Sequence, residues 1–454
     1  MARWGGHLQL RLALLVAGLL LPACFAPIET GRAQATPWER LVDAGAKAYR
    51  EGRNAEAEKA FRAALQEAER FGPDNELLAG TLALLAEVYR RQGKHSDAIP
   101  LLERSLKIME RRAGPEHRDV TAALNLLGIA YDALGRYAEA EPLLRRALAI
   151  REKALKSTDP DLALSLRNLG EHYRLQGRYA EAEPLQRRAL TIREAALGPE
   201  HPSVGMSAND LALVYIAQGR YREAEPLSNR ALAILEKARG PEHPELVPVL
   251  ISRGVLYRRE GKTAQAEPLY RRALAIQEKA LGPEQPEVAF ILDSLAVAYA
   301  AEDRYAKAEP LARRALAILE KTLGARHPEV ATNLSNLGVI CRGLGKHSEA
   351  ERLLLRARQI QEAALGPQHP DLALTLENLA TLYVARRIYA KAEPLYQQSL
   401  AIRERALGPT HPSLAKTLES YAHLLRETHR DDEALKLEAR AIAIRARNTP
   451  DRAQ

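Results

Sequence analysis

Tyr221-Arg222-Glu223-Ala224-Glu225-Pro226-Leu227, followed by Ala231-Leu232-Ala233-Ile234, is the stretch that decides the fold, because the chain repeats it. Ala224 has counterparts at Ala98, Ala140, Ala182, Ala266, Ala308, Ala350, Ala392 and Ala434. Ile234 has counterparts at Ile108, Ile150, Ile192, Ile276, Ile318, Ile360, Ile402 and Ile444. Both columns advance by 42 residues, as from 192 to 234 to 276. A period of this length is the signature of a solenoid, in which each supersecondary unit buries its apolar face on the next.

Reading outward from that stretch gives the unit. Leu211, Ala212 and Tyr215 share one helix face. Gln218-Gly219-Arg220 stops that helix, glycine supplying the left-handed conformation a helix end needs. Tyr221 opens a second helix, with Pro226 expected near its first turn, where a missing N–H costs least. Arg239-Gly240-Pro241 ends it, and His243-Pro244 starts the next unit. A column of small residues (Gly128, Gly170, Ala212, Gly254, Ala296, Gly338, Ala380) lets helices approach closely. The prediction is an all-α solenoid of about ten antiparallel helix pairs over residues 36–448, with a short polar tail at 449–454.

These features resemble the tetratricopeptide repeat. Leu127, Gly128, Tyr131, Gly135, Tyr137, Ala140 and Ala147 carry the family pattern in one unit, and nine units keep it in register. Residues 38–74 add a tenth unit, one residue shorter, with Gly45, Ala57, Phe61 and Ala64. The long unit and its Leu-Gly-Pro-Glu-His-Pro connector are similar to the kinesin light chain subtype, without the heptad coiled coil that motor attachment would need. The resemblance implies a superhelix whose first helices line a concave groove for a protein or extended peptide.

The unit from 328 to 366 departs from the pattern, with Cys341 in the Tyr slot, Arg352 for Pro and Arg358 for Leu. The last unit departs at Leu425, His429, Asp431 and Lys436, as a terminal cap should. Two connectors, Lys156-Ser157 and Gly324-Ala325, lack Gly-Pro.

Residues 1–35 read as a signal peptide: Arg3 and Arg11 precede an apolar run, Leu12 to Leu21, too short to span a bilayer comfortably. Cleavage after Ala35 and lipidation at Cys24, within Leu21-Pro22-Ala23-Cys24, are competing expectations. Either makes the protein exported, periplasmic or envelope-associated, and of bacterial origin, with membrane contact only through an N-terminal lipid anchor.

Charge is 27% of the chain and the formal net charge is +8, with Arg and Glu interleaved, which argues against nucleic acid as partner. Cys24 and Cys341 allow no disulfide framework. The recurrent His201, His243, His327, His369 and His411 form a row along the stack and do not converge, so they read as helix starts and no metal site is expected. No catalytic motif and no cofactor signature is present.

The residue after the Tyr slot is Arg90, Arg174, Arg258, Arg342 and Arg426 in every second unit. Facing a groove, these guanidinium groups would form a ladder for carboxylates or phosphates. The alternation also suits simple duplication of a two-unit block. Asn125, Arg167 and Asn209 are further groove candidates. The function expected is a scaffold or adaptor that binds a protein or acidic peptide. Binding of an anionic polymer, or service as sensor module for a separately encoded enzyme, are the alternatives.

Overall fold

The computed structural model describes residues 36–448, and the leader and lipidation expectations, Cys24 included, lie outside them. All regular structure among these residues is helical. Five pairs come first: α1 (Pro37–Arg50) with α2 (Asn54–Glu69), α3 (Glu76–Arg91) with α4 (His95–Ala113), α5 (Val120–Ala133) with α6 (Tyr137–Ala154), α7 (Pro160–Leu175) with α8 (Tyr179–Leu197), and α9 (Pro202–Ala217) with α10 (Tyr221–Arg239). A single 3₁₀ turn, Pro244–Leu246, leads into α11 (Val247–Arg259), paired with α12 (Thr263–Leu281). Then follow α13 (Pro286–Ala300) with α14 (Tyr305–Leu323), α15 (Pro328–Gly343) with α16 (His347–Ala364), α17 (Pro370–Ala385) with α18 (Tyr389–Leu407), and α19 (Pro412–Glu427) with α20 (Asp431–Asn448). Odd-numbered helices are the first of each pair, and each packs most extensively on its even-numbered partner.

The chain divides into two compact units, meeting in sequence at Ser157 and Thr158. The division falls at Lys156-Ser157, a connector without Gly-Pro. The first unit holds α1–α6 and the second α7–α20. In the second, successive odd helices touch one another along the array, and successive even helices make no comparable contact. The odd-helix face is therefore the tighter, concave one. Its core is a strip of clusters (Leu190 to Ile291, Val288 to Ile360, Tyr257 to Ile444) instead of one centre. The α7–α8 turn also abuts the start of α19: a Cβ on Gly177 would fall 2.3 Å from His411 Cδ2 and 3.1 Å from Pro412 Cδ. Glycine is needed there twice over, for the close approach and for its φ of +67°.

Local chemistry explains the boundaries. His201, His243, His327, His369 and His411 are N-caps, each Nδ1 accepting from the backbone N–H two residues on at 3.1–3.2 Å. Asp159 does the same through Oδ1 at 2.9 Å, whereas Gln285 makes no side-chain cap. Pro then occupies the first helical position, where no intrahelical N–H is needed. Gly114, Gly198, Gly240, Gly282, Gly324 and Gly408 close even helices at φ between 85° and 95°.

The second-helix proline departs from expectation. Pro226 sits inside α10, which begins at Tyr221, so the proline lies in the second turn and the helix runs through it. The same holds for Pro142, Pro184, Pro268, Pro310 and Pro394.

The paired arginines of the even helices are spent on the scaffold. The first of each pair bonds the Glu four residues earlier, as Arg145 to Glu141 at 2.8 Å and Arg271 to Glu267 at 2.9 Å. The second reaches back to the preceding unit: Arg272 meets Glu236 at 2.6 Å and the Pro241 carbonyl at 2.6 Å. Arg314 to Glu278 at 2.6 Å and Arg440 to Glu404 at 2.5 Å repeat this staple.

Candidate functional site

The exposed row of the odd helices is set by four positions spaced three, four and three residues apart, which is one helix face. In the second unit the first position carries Leu164, Met206, Phe290 and Leu374, of which Phe290 and Leu374 are 55% and 43% exposed. The third carries Leu213, Val255, Val297 and Val339, all half-buried. The fourth is the position of Arg174, Arg258 and Arg342. An apolar floor therefore runs beside a cationic edge.

The second position, six residues before the Tyr slot, is where Asn125, Arg167 and Asn209 stand, and it is mostly occupied by contacts between neighbouring odd helices. Asn125 and Asn209 are buried. Arg167 Nε donates to Asp210 at 2.6 Å across α7 and α9. Asp293 accepts from Asn333 and Asn336, each at 2.7 Å. Ser335 accepts from Thr375 at 3.2 Å and Asn378 at 3.1 Å. Glu377 accepts from Arg403 at 2.5 Å and from Thr417 at 2.8 Å, and Thr417 also bonds Arg403. The column is a polar ladder that sets the register of one unit on the next.

The five arginines of the proposed ladder divide into two kinds. Arg90 forks onto Glu87 at 2.6 and 2.7 Å, and Arg174 forks onto Glu171 at the same two distances. Arg426 is held by Glu438 at 2.8 and 2.9 Å. Arg258 and Arg342 have Val255 and Val339 three residues earlier, so no carboxylate is offered from that turn, and neither forms an ion pair among the described residues. Arg342 Nε is buried without an acceptor and lies beside Tyr305 and Tyr396. Arg258 lies against the Tyr270 phenol, whose pKa burial pushes up and that cation restrains. Arg259, exposed, acts with Arg174 to hold down the pKa of Tyr179, which burial raises. Sequence reading treated all five positions alike. The residue three earlier, Glu at Arg90 and Arg174 but Val at Arg258 and Arg342, is the sequence signal that sets these last two apart.

Two titrating groups in this unit pull in opposite directions. Burial pushes the Asp293 carboxyl up to about 6, against the two amide donors that favour its charge. Burial, with Arg403 nearby, pushes the His411 imidazole down to about 4. A raised carboxyl means the folded state binds the proton more tightly, so Asp293 contributes stability at low pH that is lost as pH rises from about 4 to about 6. A depressed imidazole means the reverse: the His411 contribution is present above about 6.5 and lost as pH falls toward 4. In the wild-type chain the two slopes offset each other. Melting temperature measured from pH 4 to 7 is expected to fall toward acid in Asp293→Asn. In His411→Asn, which keeps an acceptor for the cap, it is expected to rise toward acid. Identical pH profiles in all three proteins would refute this.

Cys341 is fully buried, and burial pushes its thiol up to about 11. Elsewhere the Tyr of this slot donates to a Glu in the preceding even helix, as Tyr383 does to Glu351 at 2.8 Å. Here Glu309 is taken instead by Lys346 at 2.6 Å and Arg313 at 2.7 Å. Glu309, Cys341 and Glu349 bring one ligand atom each within 4.8 Å of the others, a donor set that could hold a metal ion. Arg313 also pairs Glu349 at 2.7 Å, so the two carboxylates are already balanced by two cations.

A stack of helix pairs with a polar ladder between its first helices defines a repeat scaffold, and the family follows from the match. The tetratricopeptide repeat family matches residues 44–111, 78–153, 161–237, 208–279, 245–321, 287–363, 329–388 and 385–447, and the chain belongs to it. Among solved structures the chain is similar to a Podosopora anserina putative kinesin light chain with nearly identical TPR-like repeats, at 32% identity over 43% of this chain and 92% of that one (TM-score 0.38). It is also similar to BtubC (BKLC) from P. vanneervenii, at 25% identity over 52% of this chain and 96% of that one (TM-score 0.41). A Rap protein complexed with Competence and Sporulation Factor shares the fold, at 14% identity over 82% of this chain and 99% of that one (TM-score 0.54). No curated protein matches the chain.

Proposed function

We propose that this protein is a binding scaffold whose concave face, in the second unit, takes a protein or extended peptide with apolar side chains flanked by carboxylates. One observation carries the reading: Arg258 and Arg342 lack acidic partners on a face that also exposes Phe290 and Leu374. Tetratricopeptide repeats generally mediate protein–protein interaction, and the Rap neighbour, complexed with Competence and Sporulation Factor, is consistent with partner capture by this fold. Fixed guanidinium groups favour carboxylates bidentately, and apolar neighbours lower the local dielectric around them. On the leader-like residues 1–35 alone, the same reading places the protein in an exported, envelope-associated setting, which the mass of the mature chain tests.

The experiment is capture from cell-envelope extract with residues 36–454, followed by affinity measurement on the captured protein. Charge reversal at Arg258 and Arg342 is expected to weaken binding by about a hundredfold, since each lost charged contact costs roughly 1.5–3 kcal/mol. Reversal at Arg90, whose charge is already matched by Glu87, should change it by no more than about threefold. Equal loss in both variants, or in neither, overturns the assignment. A steep dependence on salt with little sequence preference would point instead to an anionic polymer.

A further inference from the structure

Within each compact unit, every even helix that is followed by another pair seals itself to that pair with two devices, α16 excepted. The first is an apolar residue at the position of Leu106, Leu190 and Leu232, each nearly buried; at the same position of the last described helix, Ile442 is 67% exposed. The second is the arginine staple from the following even helix, as Arg314 to Glu278 and Arg356 to Glu320 at 2.6 Å. Between α16 and α18 both are exchanged at once. Arg358 replaces the apolar residue, and Gln398 stands where the stapling arginine belongs. Glu362, which that arginine would meet, is instead bonded by Arg358 from its own helix at 2.7 Å. The glutamate keeps a cation, but the cation has moved across the interface, and the seal is open.

The result is a groove of ≈ 400 Å³ between α16 and α18, floored by Leu379 and Tyr383 of α17. Its walls are apolar: Leu355 is 43% exposed where four other units carry arginine, and Pro394 and Leu395 face it. Its charged groups are cationic. Arg358 lines it, and so does Lys391, which replaces the glutamate of Glu139, Glu181 and Glu223. Lys391 Nζ lies 5.4 Å from the Tyr383 ring and has no carboxylate within ion-pair distance among the described residues. Glu351, whose carboxyl feels the Lys391 charge, is already bound by Arg386 and the Tyr383 hydroxyl. The turn into α18 adds Arg387, exposed and in no ion pair among the described residues, at a position held by glycine in most other units and with φ of 58°. Four of these five departures from the repeat line the groove, and together they replace sealing groups with apolar surface and positive charge.

We propose that this groove is a second docking site, on the face away from the concave row, for a partner segment that sets a bulky apolar side chain beside carboxylates. Glu377 of the concave ladder lies two residues before Leu379, roughly 200° round α17, so the two sites are occupied independently.

The groove can be erased without threatening the fold, because the required residues already work in neighbouring units. Arg358→Leu with Gln398→Arg restores the seal, and Lys391→Glu separately reverses the mouth charge. The probe is a displayed random-peptide library selected on residues 36–454. Peptides with a large apolar residue flanked by Asp or Glu are expected to bind the parent and to lose about tenfold or more in affinity for each variant, as truncating an interface anchor does. The same peptides should bind the Arg258/Arg342 charge-reversed protein unchanged, so failure here is separable from failure of the concave reading. The proposal is overturned if no selected peptide is weakened by the Arg358→Leu/Gln398→Arg pair, or if those weakened carry no acidic residue. Sedimentation velocity covers the remaining occupant: a dimer in the parent that dissociates in the paired variant would assign the groove to a second copy of this chain and overturn the proposal too.

Discussion

Arg403→Met is expected to destabilise the second unit by about 3–5 kcal/mol, the range for removing one partner of a buried ion pair. The Arg403 and Glu377 side chains are only 6% and 4% exposed, and their contact at 2.5 Å is reinforced by Thr417. Methionine fills the volume but leaves Glu377 charged in an enclosed site, with a hydroxyl as its remaining donor. Three elements meet there: Glu377 on α17, Arg403 on α18 and Thr417 on α19, so the loss falls on the seam between the last two helix pairs. Adding Glu377→Gln to Arg403→Met should recover more than half of the loss, because the uncompensated charge is then gone. Urea titration followed by hydrogen exchange on α17–α20 measures both effects. Solenoids unfold in segments, so exchange resolved by helix is the cleaner readout. An Arg403→Met protein with parental protection in α19 would contradict the account.

Gly254→Val is expected to cost about 3 kcal/mol, the upper part of the range for overpacking a filled core. A Cβ at Gly254 would lie 2.6 Å from Tyr270 Cζ and under 3 Å from both Cε atoms, and the Tyr270 ring is fully buried with nowhere to turn. The same pairing recurs sixteen residues apart: Gly45 faces Phe61, Gly128 faces Leu144, Gly170 faces Gln186 and Gly338 faces Leu354. Ala212 and Ala296 stand instead opposite Ser228 and Ala312 in that register. Glycine is thus matched to a large residue, and alanine in these two units to a small one. Gly254→Ala combined with Tyr270→Ser, which copies the Ala212 unit, should melt closer to the parent than Gly254→Ala alone. Additive losses in that cycle would show that the two positions do not compensate.

The register of helices was written into the chain locally. A 42-residue period, a helix-stopping glycine and a proline after each capping histidine are all signals each unit carries within itself, and the structure places helix boundaries where they fall. The histidines were correctly read as helix starts, and the capping bond from Nδ1 supplies the reason. Pro226 stands a turn later than expected: with Tyr221 as the first helical residue it is the sixth, and the helix continues through it. The small-residue column was recognised as permitting close approach. Its partner could not be, because that partner lies in the other helix of the pair.

The candidate site was legible only in outline. Arg90, Arg174, Arg258, Arg342 and Arg426 do occupy one column, but each guanidinium is spent or spared by its neighbours. Glu171 takes Arg174 within the same helix; Glu438, in the next helix, takes Arg426. Asn125 and Asn209 looked like variable groove residues because polar groups usually face water, yet the odd helices converge and bury them. Arg352 and Arg358 were visible as departures, whereas the compensating Gln398 was not, since its relation to Glu362 exists only across a unit interface.

By itself the sequence determined the helices, their pairing and their stacking order, because these follow from capping, turn residues and an apolar period that each unit carries within its own length. The tertiary structure decided which large residue meets each small one, which polar groups join neighbouring odd helices, and where the seal between units opens. Those outcomes depend on side chains that meet across sixteen to forty-three residues of chain, and at that range identical motifs acquire different neighbours.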